Sequence, residues 1–138
     1  MIGLSGWLWP GNLIGAASTL QTLAPSDPHP EVQATVLIQS RQFEPGTVRL
    51  QVGQKTKLVF RNQDAELHAF VPFGLLNGTH FNLSGNGAPD FGPEGLRRVL
   101  LPAEGHTALL FVPQHPGVYP FFCDLPGHVM NGTIVVEE

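Results

Sequence analysis

The stretch Gly117-Val118-Tyr119-Pro120-Phe121-Phe122-Cys123-Asp124-Leu125-Pro126-Gly127-His128-Val129-Met130-Asn131-Gly132-Thr133-Ile134-Val135-Val136 holds two apolar runs separated by a short break containing Pro-Gly. The first run is aromatic and the second β-branched, so they predict strands over Gly117 to Cys123 and Gly132 to Val136. A thiol, an imidazole and a thioether therefore fall within eight residues, in the connection between two strands. Pro120 cannot donate a ladder hydrogen bond, so it requires an edge or an outward-facing backbone at that point.

Upstream, the same kind of pattern recurs. Ala34 to Ile38 is a β-branched run. Thr47-Val48-Arg49-Leu50-Gln51-Val52 alternates, with Val48, Leu50 and Val52 inward, and Gly53-Gln54 turns the chain. Lys55 to Asn62 repeats the alternation through Thr56, Leu58 and Phe60, and Glu66 to Val71 carries His68. Arg98 to Leu101 and His106 to Val112 follow. Seven or eight short strands without a long helix predict an all-β, antiparallel two-sheet sandwich, because each half-buried sheet needs an apolar face opposite its own. Phe73 to Gly95, with six glycines and two prolines, reads instead as a long loop or short-helix excursion.

The 138 residues suffice for one core. With 16 glycines and 13 prolines, long helices are disfavoured. Seven basic against eleven acidic residues give no Lys/Arg stripe for a phosphate backbone, which excludes nucleic acid as a partner. The single cysteine excludes an intrachain disulfide, a Cys-rich zinc or iron–sulfur site and a two-cysteine copper centre within this chain. Met1 to Ser26 has no charged side chain and resembles an export or anchor segment, although no basic residue precedes its apolar run and Pro10 and Asn12 interrupt it. Gly15 and Ala17 suit cleavage before Ser18. Pro25, Pro28 and Pro30 then stiffen a tether. The expected organisation is residues 1–31 as export or anchor segment with tether, and residues 32–138 as the folded domain. The expected location is periplasmic or extracellular, with a membrane tether if the segment persists. Asn77-Gly78-Thr79, Asn82-Leu83-Ser84 and Asn131-Gly132-Thr133 match the glycosylation triplet, a pattern common by chance.

Each donor has an unexceptional reading as well. Cys123 fits a small buried hydrophobe, His68 a hydrogen-bonded core histidine, His128 an exposed turn residue and Met130 core filler. His29, His80, His106 and His115 are expected to face solvent. What favours a metal site is the set as a whole. A soft thiolate, two imidazoles and a weak axial thioether are the ligands of a type 1 copper centre, and His68 supplies the imidazole that the Cys123–Met130 segment lacks.

Three separate stretches resemble the cupredoxins, the small blue copper proteins of the plastocyanin and azurin kind, over roughly Val32 to Glu138. Phe43-Glu44-Pro45 with Val48 and Gly53 is similar to the family's opening. Asn62 and His68 match the surroundings of its first ligand. Tyr119-x-Phe121-x-Cys123 through Pro126-Gly127-His128 and Gly132-Thr133 matches its ligand loop and last strand. The resemblance implies a Greek-key β-sandwich of seven to eight strands that binds one copper ion through His68, Cys123 and His128, with Met130 as the axial candidate. It also implies a one-electron carrier rather than an enzyme, whose redox partners dock on the apolar surroundings of His128 formed by Leu125, Pro126 and Val129. One residue separates His128 from Met130, fewer than is usual in the family; Glu66, two residues before His68 and so on the same strand face, is the alternative fourth ligand in place of the thioether. Two alternatives stand beside the electron carrier: a copper storage or delivery protein, which the shortened loop favours, and a red-copper, nitrosocyanin-like protein whose open site takes a small ligand, which Glu66 or His80 as a further donor would favour. A multicopper oxidase domain is disfavoured, because Phe122 and Asp124 flank Cys123 where histidines would lead to a trinuclear cluster.

Overall fold

The computed structural model describes residues 30–138. The predicted export or anchor segment, the cleavage before Ser18, most of the tether and His29 lie outside the described residues. Eleven strands run in chain order: β1 Val32–Gln39, β2 Gln42–Glu44, β3 Thr47–Gln51, β4 Thr56–Asn62, β5 His68–Pro72, β6 Phe81–Gly85, β7 Ala88–Gly92, β8 Gly95–Leu101, β9 His106–Phe111, β10 Gly117–Cys123 and β11 Met130–Glu137. They form two sheets, ordered β2-β1-β4-β9-β6 and β3-β11-β10-β5-β8-β7. Among the described residues no helix is long and apolar enough to cross a membrane.

The all-β sandwich agrees with the sequence reading, and two of its details do not. The sheets are mixed rather than antiparallel: β1 runs parallel to β4 from Val32↔Thr56 to Ile38↔Asn62, and β3 runs parallel to β11 from Thr47↔Thr133 to Gln51↔Glu137. A period of two assigns side chains to faces and carries no strand direction. After the β1–β2 hairpin the chain crosses to the second sheet as β3 and returns beside β1 as β4, which leaves β1 and β4 pointing the same way.

The second correction concerns residues 73–95. These hold β6 and β7 as well as loop, with β6 pairing with β9 in one sheet and β7 with β8 in the other. Both are edge strands with largely exposed side chains, so neither shows a clean apolar face. An edge also tolerates Pro89. With the three-residue β2, these account for the excess over seven or eight strands.

The two sheets enclose Val36, Ile38, Leu58, Phe60, Phe70, Val99, Leu101, Leu109, Phe121 and Ile134, all essentially inaccessible to solvent. Four phenylalanines interlock within this core. Ring centroids lie 4.9 Å apart for Phe43 and Phe121, 4.5 Å for Phe60 and Phe70, and 5.4 Å for Phe70 and Phe121. Since Phe70 follows His68 by two positions and Phe121 precedes Cys123 by two, strand alternation puts both rings on the faces that carry the predicted ligands.

Pro120 meets its requirement in an interior strand. Thr133, its partner on β11, donates its N–H to Gly46 O at 2.8 Å on the far side, so the backbone of Pro120 turns away from β11 toward β5. There the β10–β5 pairing ends at Phe121↔Pro72. The missing donor therefore faces a position beyond the end of the neighbouring strand.

Candidate metal centre

His68 opens β5, Cys123 closes β10, and His128 lies in the connection to β11. The turn Leu125-Pro126-Gly127-His128 closes with His128 N–H donating to Leu125 O at 3.1 Å. Pro126 suits its second position, and Gly127 takes φ +80° at the third, as a type II turn demands of a residue without Cβ. This short, stiff turn brings His128 back over Cys123.

The three side chains converge. His68 Nδ1 lies 3.1 Å from His128 Nδ1, and Cys123 Sγ lies 3.6 Å from His128 Nδ1. All three donor atoms fall within 4.8 Å of one another. His68 is fully buried, Cys123 is buried, and the His128 side chain retains a narrow 9% exposure. Bond lengths of about 2.0 Å to nitrogen and 2.3 Å to sulfur around a first-row metal give trigonal edges of roughly 3.5 and 3.7 Å. The observed sulfur–nitrogen separation of 3.6 Å is close to the second, and the 3.1 Å between the nitrogens is shorter than the first, as befits two imidazoles in hydrogen-bond contact.

The chemistry of the donors fits a cation as well. Asp64 Oδ2 sits 2.8 Å from His68 Nε2, so that nitrogen carries the proton and Nδ1 presents a lone pair toward the second imidazole and the sulfur. Two imidazoles and a soft sulfur converging on one buried point call for an electrophile between them, and soft thiolate with imidazole selects a transition metal.

Around this trio the loop before β5 is pinned in detail. Asn62, buried at the end of β4, donates through Nδ2 to the carbonyls of Glu66 at 2.9 Å, Leu101 at 3.0 Å and Pro102 at 3.0 Å, and accepts from Asp64 N–H at 3.0 Å. The Asp64 carboxylate also accepts from the N–H groups of Ser40 at 2.8 Å and Arg41 at 3.0 Å. Burial pushes the Asp64 carboxyl up, but hydrogen bonds from Arg41 N–H, His68 and Ser40 N–H together outweigh it and hold the group below the ordinary carboxylate range. The Glu66 carboxyl is held low chiefly by its hydrogen bonds to the Arg41 guanidinium, at 2.6 and 2.8 Å.

Glu66 was expected in a strand, on the face of His68. It lies in the bend before β5, 3.6 Å from His68 Nε2 and 4.0 Å from His128 Nε2, and so on the side of both rings opposite their converging Nδ1 atoms. Bound to Arg41 and outside the trio, it does not join the three converging donors. Met130 is buried and begins β11 directly opposite Cys123, which puts the two side chains on one face. His80, His106 and His115 are exposed, as predicted. In the His128 turn Val129 is 86% exposed and Pro126 is exposed, while Leu125 is half-buried against the core, so the apolar surface beside His128 consists of Pro126 and Val129.

Asp64 and Arg41 were not anticipated. The available signal was a carboxylate four positions before a candidate ligand, since a metal-binding histidine commonly donates its other N–H to a carboxylate.

A family profile described as a cupredoxin-like domain matches residues 12–136. None of the curated proteins compared matches the chain. Among solved structures, auracyanin B is similar at TM-score 0.57 and 20% identity, covering 83% of this chain and 94% of its own. Auracyanin A, described as a "blue" copper protein from the green thermophilic photosynthetic bacterium Chloroflexus aurantiacus, is similar at TM-score 0.57 and 17% identity, covering 78% of this chain and all of its own. A methionine-to-glutamine variant of amicyanin in the Cu(I) form gives TM-score 0.52 and 20% identity over 76% of this chain and 82% of its own.

Proposed function

The chain belongs to the cupredoxin-like family, and on that premise we propose that it is a mononuclear copper protein that carries single electrons. The observation that supports this most is the convergence of His68 Nδ1, Cys123 Sγ and His128 Nδ1 within 4.8 Å at a nearly closed point of a rigid sandwich. Copper, when bound, supplies a one-electron couple. His68, Cys123 and His128 would hold it, Cys123 as thiolate, with Met130 as the proposed fourth ligand.

The protein's part is to keep these donors still. Two ligands stand on strands locked by the Phe60, Phe70 and Phe121 rings, and the third stands on a Pro-Gly turn, so the ligands need to move little when charge changes at the site. Nearly complete burial of the trio excludes water. The small exposure of His128 beside Pro126 and Val129 offers an apolar contact for a redox partner, and a small contact area allows rapid release. Met130, buried opposite Cys123, is the side chain that would fill the fourth position, which a storage protein or a red-copper site would leave open. Export of residues 32–138 to the periplasm or cell exterior belongs to the same reading.

Adding Cu(II) to the purified protein and recording visible and EPR spectra beside Cys123→Ser tests this. An intense thiolate-to-copper absorption that vanishes in the variant is expected. A colourless wild type, or a band that survives in the variant, contradicts it.

A further inference from the structure

Of the two proposed imidazole ligands, only His68 has its second ring nitrogen hydrogen-bonded to a charged side chain. The Asp64 carboxylate that takes it also accepts the N–H groups of Ser40 and Arg41, the two central residues of the β1–β2 turn. Both turn residues have left-handed φ, 54° and 56°, which aims their successive N–H groups at one point outside the hairpin. The Asp64 backbone is fixed as well, its N–H by Asn62 Oδ1 and its carbonyl by Glu104 N–H at 3.1 Å. Every polar group of the residue is thus held, and its carboxylate can shift little relative to the His68 ring.

Charge balance gives this contact a consequence beyond geometry. The guanidinium of Arg41 is engaged bidentately by Glu66, and Arg41 hydrogen-bonds Asp64 only through its backbone. Among the described residues no lysine or arginine side chain pairs with Asp64, so its negative charge is felt by the imidazole it touches.

We propose that Asp64 is a positioning residue of the metal centre, fixing His68 as the Nε2–H tautomer with Nδ1 bare and favouring the higher oxidation state of the bound metal. This rests on the copper reading above. A carboxylate accepting from the distal N–H makes the ligating nitrogen more basic, and loss of such a partner typically costs 10–100-fold in metal affinity. A fixed negative charge favours Cu(II) over Cu(I).

The test has a metal-free arm and a copper arm. Nitrogen-15 NMR of the metal-free wild type should show His68 protonated at Nε2 and not at Nδ1; the reverse tautomer overturns the proposal. In copper-loaded Asp64→Asn and Asp64→Ala, the thiolate absorption should persist while the affinity ratio Cu(II) to Cu(I) falls about tenfold, read as a rise in potential of about 59 mV. Potentials equal to wild type with an intact band overturn it, because a merely structural role would leave the couple unmoved. If the wild type itself takes up no copper, the copper reading fails, and the tautomer still decides whether Asp64 orients His68.

Discussion

Gly132 faces Phe121 directly across the β10–β11 ladder, and the hairpin they stabilise carries Cys123 and Met130. A Cβ at position 132 would fall 2.6 and 2.7 Å from Phe121 Cε2 and Cε1, and closer still to Cζ. A free ring end could swing away, but Phe121 is buried and contacts Phe43 at 4.9 Å and Phe70 at 5.4 Å between centroids, so it has nowhere to go. Gly132 does not have a left-handed φ. Backbone entropy alone therefore predicts that Gly132→Ala stabilises by about 0.4–1 kcal/mol. Overpacking predicts a cost of about 1–3 kcal/mol, so the net change should be a loss of roughly 1–2 kcal/mol.

Gly46 is the matched control, with no left-handed φ and nothing within 4 Å of an added Cβ. Gly46→Ala should be neutral or stabilising. Urea unfolding of the metal-free protein, read at constant m, measures both. In a Phe121→Ala background the penalty at position 132 should disappear, the non-additivity expected of two groups in contact. If Gly132→Ala is as stable as wild type, or its loss persists without the Phe121 ring, the packing argument is refuted.

Asn62→Ala should lower stability by at least about 1–3 kcal/mol, since it strips partners from buried backbone groups, and should broaden the copper EPR signal as the loop ahead of His68 loosens; an unchanged urea midpoint would contradict this. The carboxyls of Asp64 and Glu66 are depressed in the fold, so their contribution is present above the unfolded-state values near about 4 and is lost as pH falls through the lower folded values. Metal-free protein should accordingly unfold at less urea as pH is lowered from about 5 to 3. Arg41→Met should flatten that dependence, and an identical pH profile in the variant would count against it. Met130→Gln replaces a buried soft sulfur by a harder oxygen, which should lower the copper potential and shift the absorption; unchanged spectra would make Met130 core filler.

Much of the sandwich was legible because central strands bury a face. β3 and β4 show buried residues at Val48 and Leu50 and at Thr56, Leu58 and Phe60, just where their alternation puts them. β6 and β7 lie at sheet edges, bury little, and contain the glycine and proline that read as loop. Parallel pairing of β1 with β4 was invisible because alternation carries no direction.

The site divides in the same way. Cys123 and His128 stand in one short loop, and their spacing announces them. His68 was legible from Asn62 and from the need for a second imidazole. Asp64 owes its role to a turn 24 residues earlier, whose N–H groups converge on it only in the folded chain. The exclusion of Glu66 from the trio likewise depends on Arg41, 25 residues away, a pairing that no local pattern encodes.

X-ray absorption at the copper edge of the loaded protein tests the ligand set most directly. One sulfur scatterer at thiolate distance with two imidazole nitrogens, the sulfur lost in Cys123→Ser and one imidazole lost in His68→Ala or His128→Ala, is the predicted result. A shell of nitrogen and oxygen alone, or a wild-type spectrum unchanged by those substitutions, would contradict it.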